Sequence, residues 1–209
     1  MRPCKITTLV ENTVTALHPP VLGEHGLAFF IETGDRKILF DTGQGLTLLA
    51  NADALGIDLT TVDTVALSHA HYDHAGGIKK LLTRNNKINL IAHPALFDNK
   101  LVSWGGSYYP VGIPQDKELI ENSHINIKFE KNAVEIAPGV MLTGEIPMQT
   151  SFEDVEALFY TGESGNYSRD MLLDDRALIL DTEKGTVVVL GCAHRGVVNT
   201  LNHVVQLTG

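Results

Sequence analysis

The chain has 209 residues, of which 44% are hydrophobic and 20% charged, the values of an ordinary globular protein. That composition excludes disorder as the main state, and no apolar run approaches the roughly 20 residues that cross a bilayer. A formal net charge of −9 argues against general binding of DNA, RNA or anionic membrane, and two cysteines make no disulfide framework.

The first residues, Met1 to Lys5, lead into a strand-like run and not into a signal peptide, so a soluble cytoplasmic protein is expected. Apolar, β-branched runs predict strands over 6–10, 28–32, 37–40, 64–67, 88–91, 125–129, 140–143, 177–180 and 186–190. Thr33-Gly34-Asp35 and Glu183-Lys184-Gly185 predict hairpin turns. Leu46, Leu49, Ala52 and Leu55 predict a helix over 45–56, and Ile78, Leu81 and Leu82 one over 74–84. The short basic run from Lys79 to Arg84 reads as a solvated helix face.

Residues 95–122 read as a long connection with some helix, in which Trp104, Tyr108 and Tyr109 anchor a loop to the core or form a lid over a pocket. Val197, Val198, Leu201, Val204 and Val205 share one face of a C-terminal helix, which places His203 on the solvent side. The alternation of strands and helices predicts an α/β fold in one domain over 1–209, with sheets inside and helices outside.

The chemistry concentrates in Ser68-His69-Ala70-His71-Tyr72-Asp73-His74, directly after the strand predicted over 64–67. His69 and His71 are two residues apart, so an extended segment points both to one side, where two neutral imidazoles can grip one divalent cation. Asp73 and His74 follow as the chain turns into a helix and can serve a second ion nearby. Ala75-Gly76-Gly77 lets the backbone turn tightly beside the site. A carboxylate with imidazoles suits Zn2+, Fe or Mn2+. There is no Gly-x-Ser-x-Gly elbow and no Walker motif, so a metal is the expected source of the nucleophile.

His69, His71, Asp73 and His74 resemble the metal motif of the metallo-β-lactamase superfamily, and Leu39-Phe40-Asp41-Thr42-Gly43 resembles its earlier motif. Glu24-His25-Gly26-Leu27, Thr143-Gly144-Glu145-Ile146-Pro147, Asp174-Asp175-Arg176-Ala177-Leu178 and Gly191-Cys192-Ala193-His194 follow in the matching order. Together they resemble the branch of 7,8-dihydropterin-6-yl-methyl-4-(β-D-ribofuranosyl)aminobenzene 5′-phosphate synthase-like proteins, over essentially the whole chain.

The resemblance implies an αββα sandwich and a centre of two divalent ions, with Zn2+ expected first and Fe or Mn2+ compatible. It implies metal ligands at His69, His71, Asp73, His74 and His194, with Asp73 also orienting the nucleophilic water and Asp41 buttressing the metal loop. Cys192 and Glu145 lie where family members carry further ligands, and His25 lies in a turn that can approach the pocket. His18, His93 and His124 read as loop histidines. A last family histidine is expected on a strand beyond the final helix, so the resemblance implies a shortened C-terminus and leaves the second metal position in question.

The implied activity is hydrolysis of a small-molecule ester by a metal-held hydroxide, on a phosphorylated or pterin-linked substrate. A non-catalytic metal-binding or sensing protein and a di-iron redox protein are the alternatives. The expected partner is a small-molecule substrate, without nucleic acid or membrane, and an oligomer is compatible.

Overall fold

The computed structural model describes residues 3–14, 18–163 and 165–209; Met1 and Arg2 of the N-terminal run lie outside them. In chain order the first strands are β1 (Cys4–Val10), β2 (Ala28–Thr33), β3 (Arg36–Phe40), β4 (Thr64–Ala66) and β5 (Asn89–Ala92). The next are β6 (Lys100–Trp104), β7 (Ser107–Pro110), β8 (Asn126–Phe129), β9 (Val134–Ala137) and β10 (Val140–Leu142). The last are β11 (Phe159–Glu163), β12 (Asn166–Arg169), β13 (Ala177–Thr182) and β14 (Gly185–Leu190). The helices are α1 (Leu48–Ala54), α2 (Tyr72–Ala75), α3 (Ile78–Leu81), α4 (Lys117–Asn122) and α5 (Val197–Thr208).

The strands form a six-stranded sheet in the order β1-β2-β3-β4-β5-β8, a four-stranded sheet β14-β13-β10-β9 and a smaller one, β12-β11-β6-β7. Strands β3, β4, β5 and β8 run parallel, and the rest pair antiparallel. Alternation along β3 decides the layering. Leu39 joins the core under α1 and α3, with Leu48, Ala52, Ile78 and Leu81. Its neighbours Ile38 and Phe40 point to the other face, where they meet Val140, Leu142, Leu178 and Leu180 of the second sheet. A helix layer, a sheet and a second sheet therefore stack around two apolar interfaces, the expected α/β sandwich. No helix among the described residues is long and apolar enough to cross a membrane.

Three expectations change. The helix expected over 74–84 is two short helices, α2 and α3, because the Gly77 N–H donates to the Gly43 carbonyl and the Asp73 and His74 carbonyls accept from Leu27 and Thr42, while a Cβ at Gly76 or Gly77 would meet the carbonyls of Tyr72 and Thr42. These glycines serve close approach to the Asp41–Gly43 turn, and neither has a positive φ. The connection over 95–122 contains the β6–β7 hairpin, turning at Gly105-Gly106, and Trp104 is 74% exposed, so it anchors nothing to the core.

The third correction concerns α5. Val197, Val198, Leu201 and Val205 are exposed, and His203 turns inward, its Nε2 lying 3.0 Å from the Thr143 carbonyl. Polar anchoring overrides the apolar stripe. Asn199 accepts from the backbone N–H groups of Gln149 and Thr150, and Glu153 accepts from those of Val198 and Asn199 at the start of the helix.

Candidate metal centre

The motif residues gather at the C-terminal ends of β3, β4 and β14, the usual place for chemistry in a sheet with parallel strands. Asp41 follows β3 in a left-handed backbone conformation, φ 59°, which is uncommon outside glycine and frequent at functional sites. Its carboxylate is fully buried and serves three donors. Oδ1 accepts from the Ser68 backbone N–H at 2.7 Å, and Oδ2 accepts from the Ser68 hydroxyl and from His74 Nδ1, each at 2.7 Å.

The Ser68 hydroxyl also lies 2.8 Å from His69 Nδ1. Having given its proton to Asp41, it accepts from the His69 Nδ1–H, so the network sets the tautomer of His69 and the orientation of both rings. His69 and His74 then present Nε2 away from the scaffold. Such outer hydrogen bonds set the orientation of metal-binding imidazoles.

His69, His71 and His194 come together, with one ring nitrogen of each within 4.8 Å of the others. Their ring centroids lie 4.6 and 5.0 Å apart. In each ring Nε2 is buried and has no hydrogen-bond partner among the described residues. His194 is turned by Glu156, whose carboxylate lies 3.5 Å from Nδ1. Burial holds all three rings neutral. It pushes His71 down to about 3, with His194 adding to the shift, and keeps His69 and His194 below the ordinary imidazole value as well. An unpaired buried nitrogen costs free energy, and three that converge form a set of lone pairs shaped for a cation.

His69, His74 and Cys192 make a second close group. The Cys192 Sγ lies 3.1 Å and the Asp73 Oδ2 3.5 Å from His74 Nε2. Asp73 Oδ2 is also 3.3 Å from His25 Nε2, so the His25 turn does reach the site. Burial opposes a charge on His74, but the Asp41 carboxylate outweighs it and, with Cys192, raises the imidazole to about 11. A cavity of about 180 Å³, lined by Asn12, His25, Asp73, His74 and Cys192, opens beside this group.

A support whose role the sequence did not reveal ties the two segments of candidate ligands together. Asp174 accepts from the Ala70 backbone N–H, between His69 and His71, and binds Lys100 Nζ at 2.8 Å. Asp175 accepts from the backbone N–H of Arg195, next to His194, and burial pushes it up to about 7. Arg176 donates to the Leu67 and Glu130 carbonyls from a buried guanidinium that burial lowers to about 10. Gly191 completes the fit, since a Cβ there would strike the Ser68 side chain. The sequence marked Asp174-Asp175-Arg176 only as part of the family resemblance, with no role attached.

Other candidates separate from the centre. Glu145 lies on His93, Oε1 to Nε2 3.1 Å, and is in neither close group. His93 is buried after β5, not a free loop histidine, and its Nδ1 accepts from the Ala95 N–H. An apolar groove of about 350 Å³ between β1 and the β13–β14 hairpin lies at the opposite end of the sheets, at the start of β14.

The sequence pattern of the metallo-beta-lactamase superfamily matches residues 22–147. A curated relative from Methanocaldococcus jannaschii, 7,8-dihydropterin-6-methyl-4-(beta-D-ribofuranosyl)-aminobenzene-5′-phosphate synthase, is 30% identical over 98% of this chain and 73% of its own length. The crystal structure of Tm1679, described as a metal-dependent hydrolase of the beta-lactamase superfamily, is 27% identical, with a TM-score of 0.76 over 96% of this chain and 70% of that one. The Bacillus subtilis protein YhfI, of metallo-beta-lactamase fold, is 18% identical and shares the fold at a TM-score of 0.51, over 89% of this chain and 62% of that one.

Proposed function

We propose that this chain, which belongs to the metallo-β-lactamase superfamily, is a metal-dependent hydrolase of small-molecule esters. The observation that carries the reading is the convergence of three buried, unpaired Nε2 atoms from His69, His71 and His194. These residues would hold one divalent ion, and Asp73, His74 and Cys192 a second beside it. Neutral imidazoles with a thiolate favour Zn2+. When bound, such ions supply Lewis acidity and an acidified water at neutral pH.

The chain's own groups do the rest. Asp41 and Ser68 fix the orientations of the His69 and His74 rings, so no reorientation is needed at the moment of reaction. Asp73 Oδ2 faces the exposed His25 imidazole at 3.3 Å, a short path for a proton between the site and solvent. Phe159 packs on His71 and His194 and excludes water from that side. The name of the Methanocaldococcus relative describes a dihydropterin joined to a phosphorylated aminobenzene ribofuranoside. That supports a phosphorylated or pterin-linked substrate for this chain, although the relative itself is a synthase.

Elemental mass spectrometry on protein purified without added metal tests the reading, together with turnover of bis(p-nitrophenyl) phosphate and a simple lactone. Bound zinc with turnover of either ester, both lost in His71→Ala while the fold is retained, is the expected result. Protein that takes up no metal, or a His71→Ala variant with unchanged turnover, overturns it.

A further inference from the structure

The small sheet carries a row of side chains that leads outward from the metal centre. In its register Phe159 of β11 stands opposite Val102 of β6, and Val102 stands opposite Tyr109 of β7. Directly opposed residues project from the same face of a sheet, so Phe159, Val102 and Tyr109 form one row. Trp104 lies two residues beyond Val102 and shares that face.

The inner end of the row is the metal centre itself. The Phe159 ring lies 4.8 Å from that of His71 and 5.0 Å from that of His194, centroid to centroid. With neighbouring strands about 4.8 Å apart, the row reaches roughly 10 Å outward from there. Its outer end is uncovered, Tyr109 being 51% and Trp104 74% exposed. None of the four side chains carries a charge.

The opposite face of the same sheet is different. There Tyr108 packs against Tyr160 and Tyr167 at 5.1 and 4.6 Å, which stiffens the hairpins. In the open row Phe159 packs only on the two histidine rings, and no ring contact is found for Tyr109 or Trp104 among the described residues.

We propose that the row Phe159, Val102, Tyr109, with Trp104 beside it, is the arm that receives a planar, uncharged aromatic ring of the substrate while the scissile ester lies at the histidine cluster. The inference rests on the hydrolase reading and adds to it the substrate class, an aryl-bearing ester. An aromatic row that starts on two ligand rings and runs outward selects a ring attached close to the reacting group.

The chain's single tryptophan is Trp104, so its emission reports the arm directly. The zinc-loaded protein is titrated with phenylphosphonate and with methylphosphonate, which share an anionic head and differ by the ring. The expected result is tighter binding of phenylphosphonate by about tenfold, the scale of one aromatic contact, with a change in Trp104 emission. Tyr109→Ala should bring the two affinities within about twofold of each other and leave that of methylphosphonate, the metal content and the circular dichroism unchanged.

Equal affinities in the parent protein overturn the arm, and so does a Tyr109→Ala variant that weakens both ligands alike. Trp104 emission that changes on dilution of the protein alone would assign the row to contact with a second copy, which also overturns it. Failure of the hydrolase reading is separable, because turnover of an aliphatic lactone such as γ-butyrolactone, which has no aromatic ring, reports the metal centre without the arm. Turnover with no ring preference refutes the arm alone, and ring preference without turnover refutes the hydrolase alone.

Discussion

The two halves of the candidate metal centre share His69 but solve opposite electrostatic problems. His69, His71 and His194 are kept neutral by burial, with three ring nitrogens unpaired among the described residues. His74 is charged in the metal-free protein, and its Nε2 already faces Cys192 and Asp73. The first group gains partners when a cation arrives. The second must exchange a proton and existing contacts for it, so binding there releases a proton and weakens as pH falls. The difference teaches that two clusters of similar residues need not hold metal equally, because what each gives up on binding differs.

The sharpest way to break this comparison is to remove one ligand from each half. His71→Ala should abolish the tighter metal equivalent and cost several kcal/mol of transition-state stabilisation, roughly a thousandfold in kcat/KM. Cys192→Ala should keep that equivalent and loosen only the second. A metal titration followed by competition with a chelator measures both. Equal loss of the two equivalents in both variants would mean that the halves act as one unit.

Next in size is the support beneath the first half. Lys100 is 2% exposed and holds Asp170 and Asp174, and Asp174 in turn holds the backbone between His69 and His71. Lys100→Met would leave two carboxylates without their counter-ion, a loss of roughly 3 kcal/mol for a broken buried pair. Urea unfolding measures it, and metal affinity should fall with it. Stability within about 0.5 kcal/mol of the parent would show that the carboxylates find other partners.

The pH dependence of the metal-free protein separates the halves by sign. His71 titrates at about 3 in the fold against an ordinary 6.5, so the unfolded chain binds more protons between those values. Its contribution is present above pH 6.5 and is lost as pH falls toward 3. Asp174, held low by Lys100 against the cost of burial, adds a loss below its ordinary 3.8. His74, raised to about 11, contributes below pH 6.5 and loses its share as pH rises toward 11. Unfolding midpoints should therefore fall on both sides of neutrality. His71→Ala should flatten the acid limb and His74→Ala the alkaline one, and a variant that flattens the wrong limb would refute the assignment.

Much of this centre was legible because its chemistry is local. His69, His71, Asp73 and His74 lie within six residues after an apolar strand, and period-two geometry brings the first two to one side. Asp41 and His194 were reachable through the resemblance, and the structure places both at the cluster. The supports were not legible, because they act across the chain: Asp174 reaches Ala70 over 104 positions. The Asp174-Asp175-Arg176 run was visible as part of the resemblance, but its supporting role shows only through its partners. The small sheet was missed because Phe159–Glu163 and Asn166–Arg169 are short and polar with little alternation. The α5 stripe misled for the reverse reason, since hydrogen bonds from Asn199 and His203 set which side faces inward.

The smallest effect is the most local. Each half of the centre has one non-glycine residue in the left-handed region, Asp41 at φ 59° and Ala193 at φ 54°. Asp41 cannot be changed without removing three hydrogen bonds, so its strain cannot be read separately. Ala193 offers no side-chain hydrogen bond, and its strain can be relieved by Ala193→Gly. Relief of about 1 kcal/mol is set against about 0.5 kcal/mol of added unfolded-state entropy, for a net gain of about 0.5 kcal/mol. Ala193→Val should instead destabilise, because a β-branched side chain tolerates that conformation poorly. If the glycine variant is stabilised while metal affinity at the first group falls, the strain at Ala193 is what holds His194 in place. If both rise together, it is only a cost of the turn.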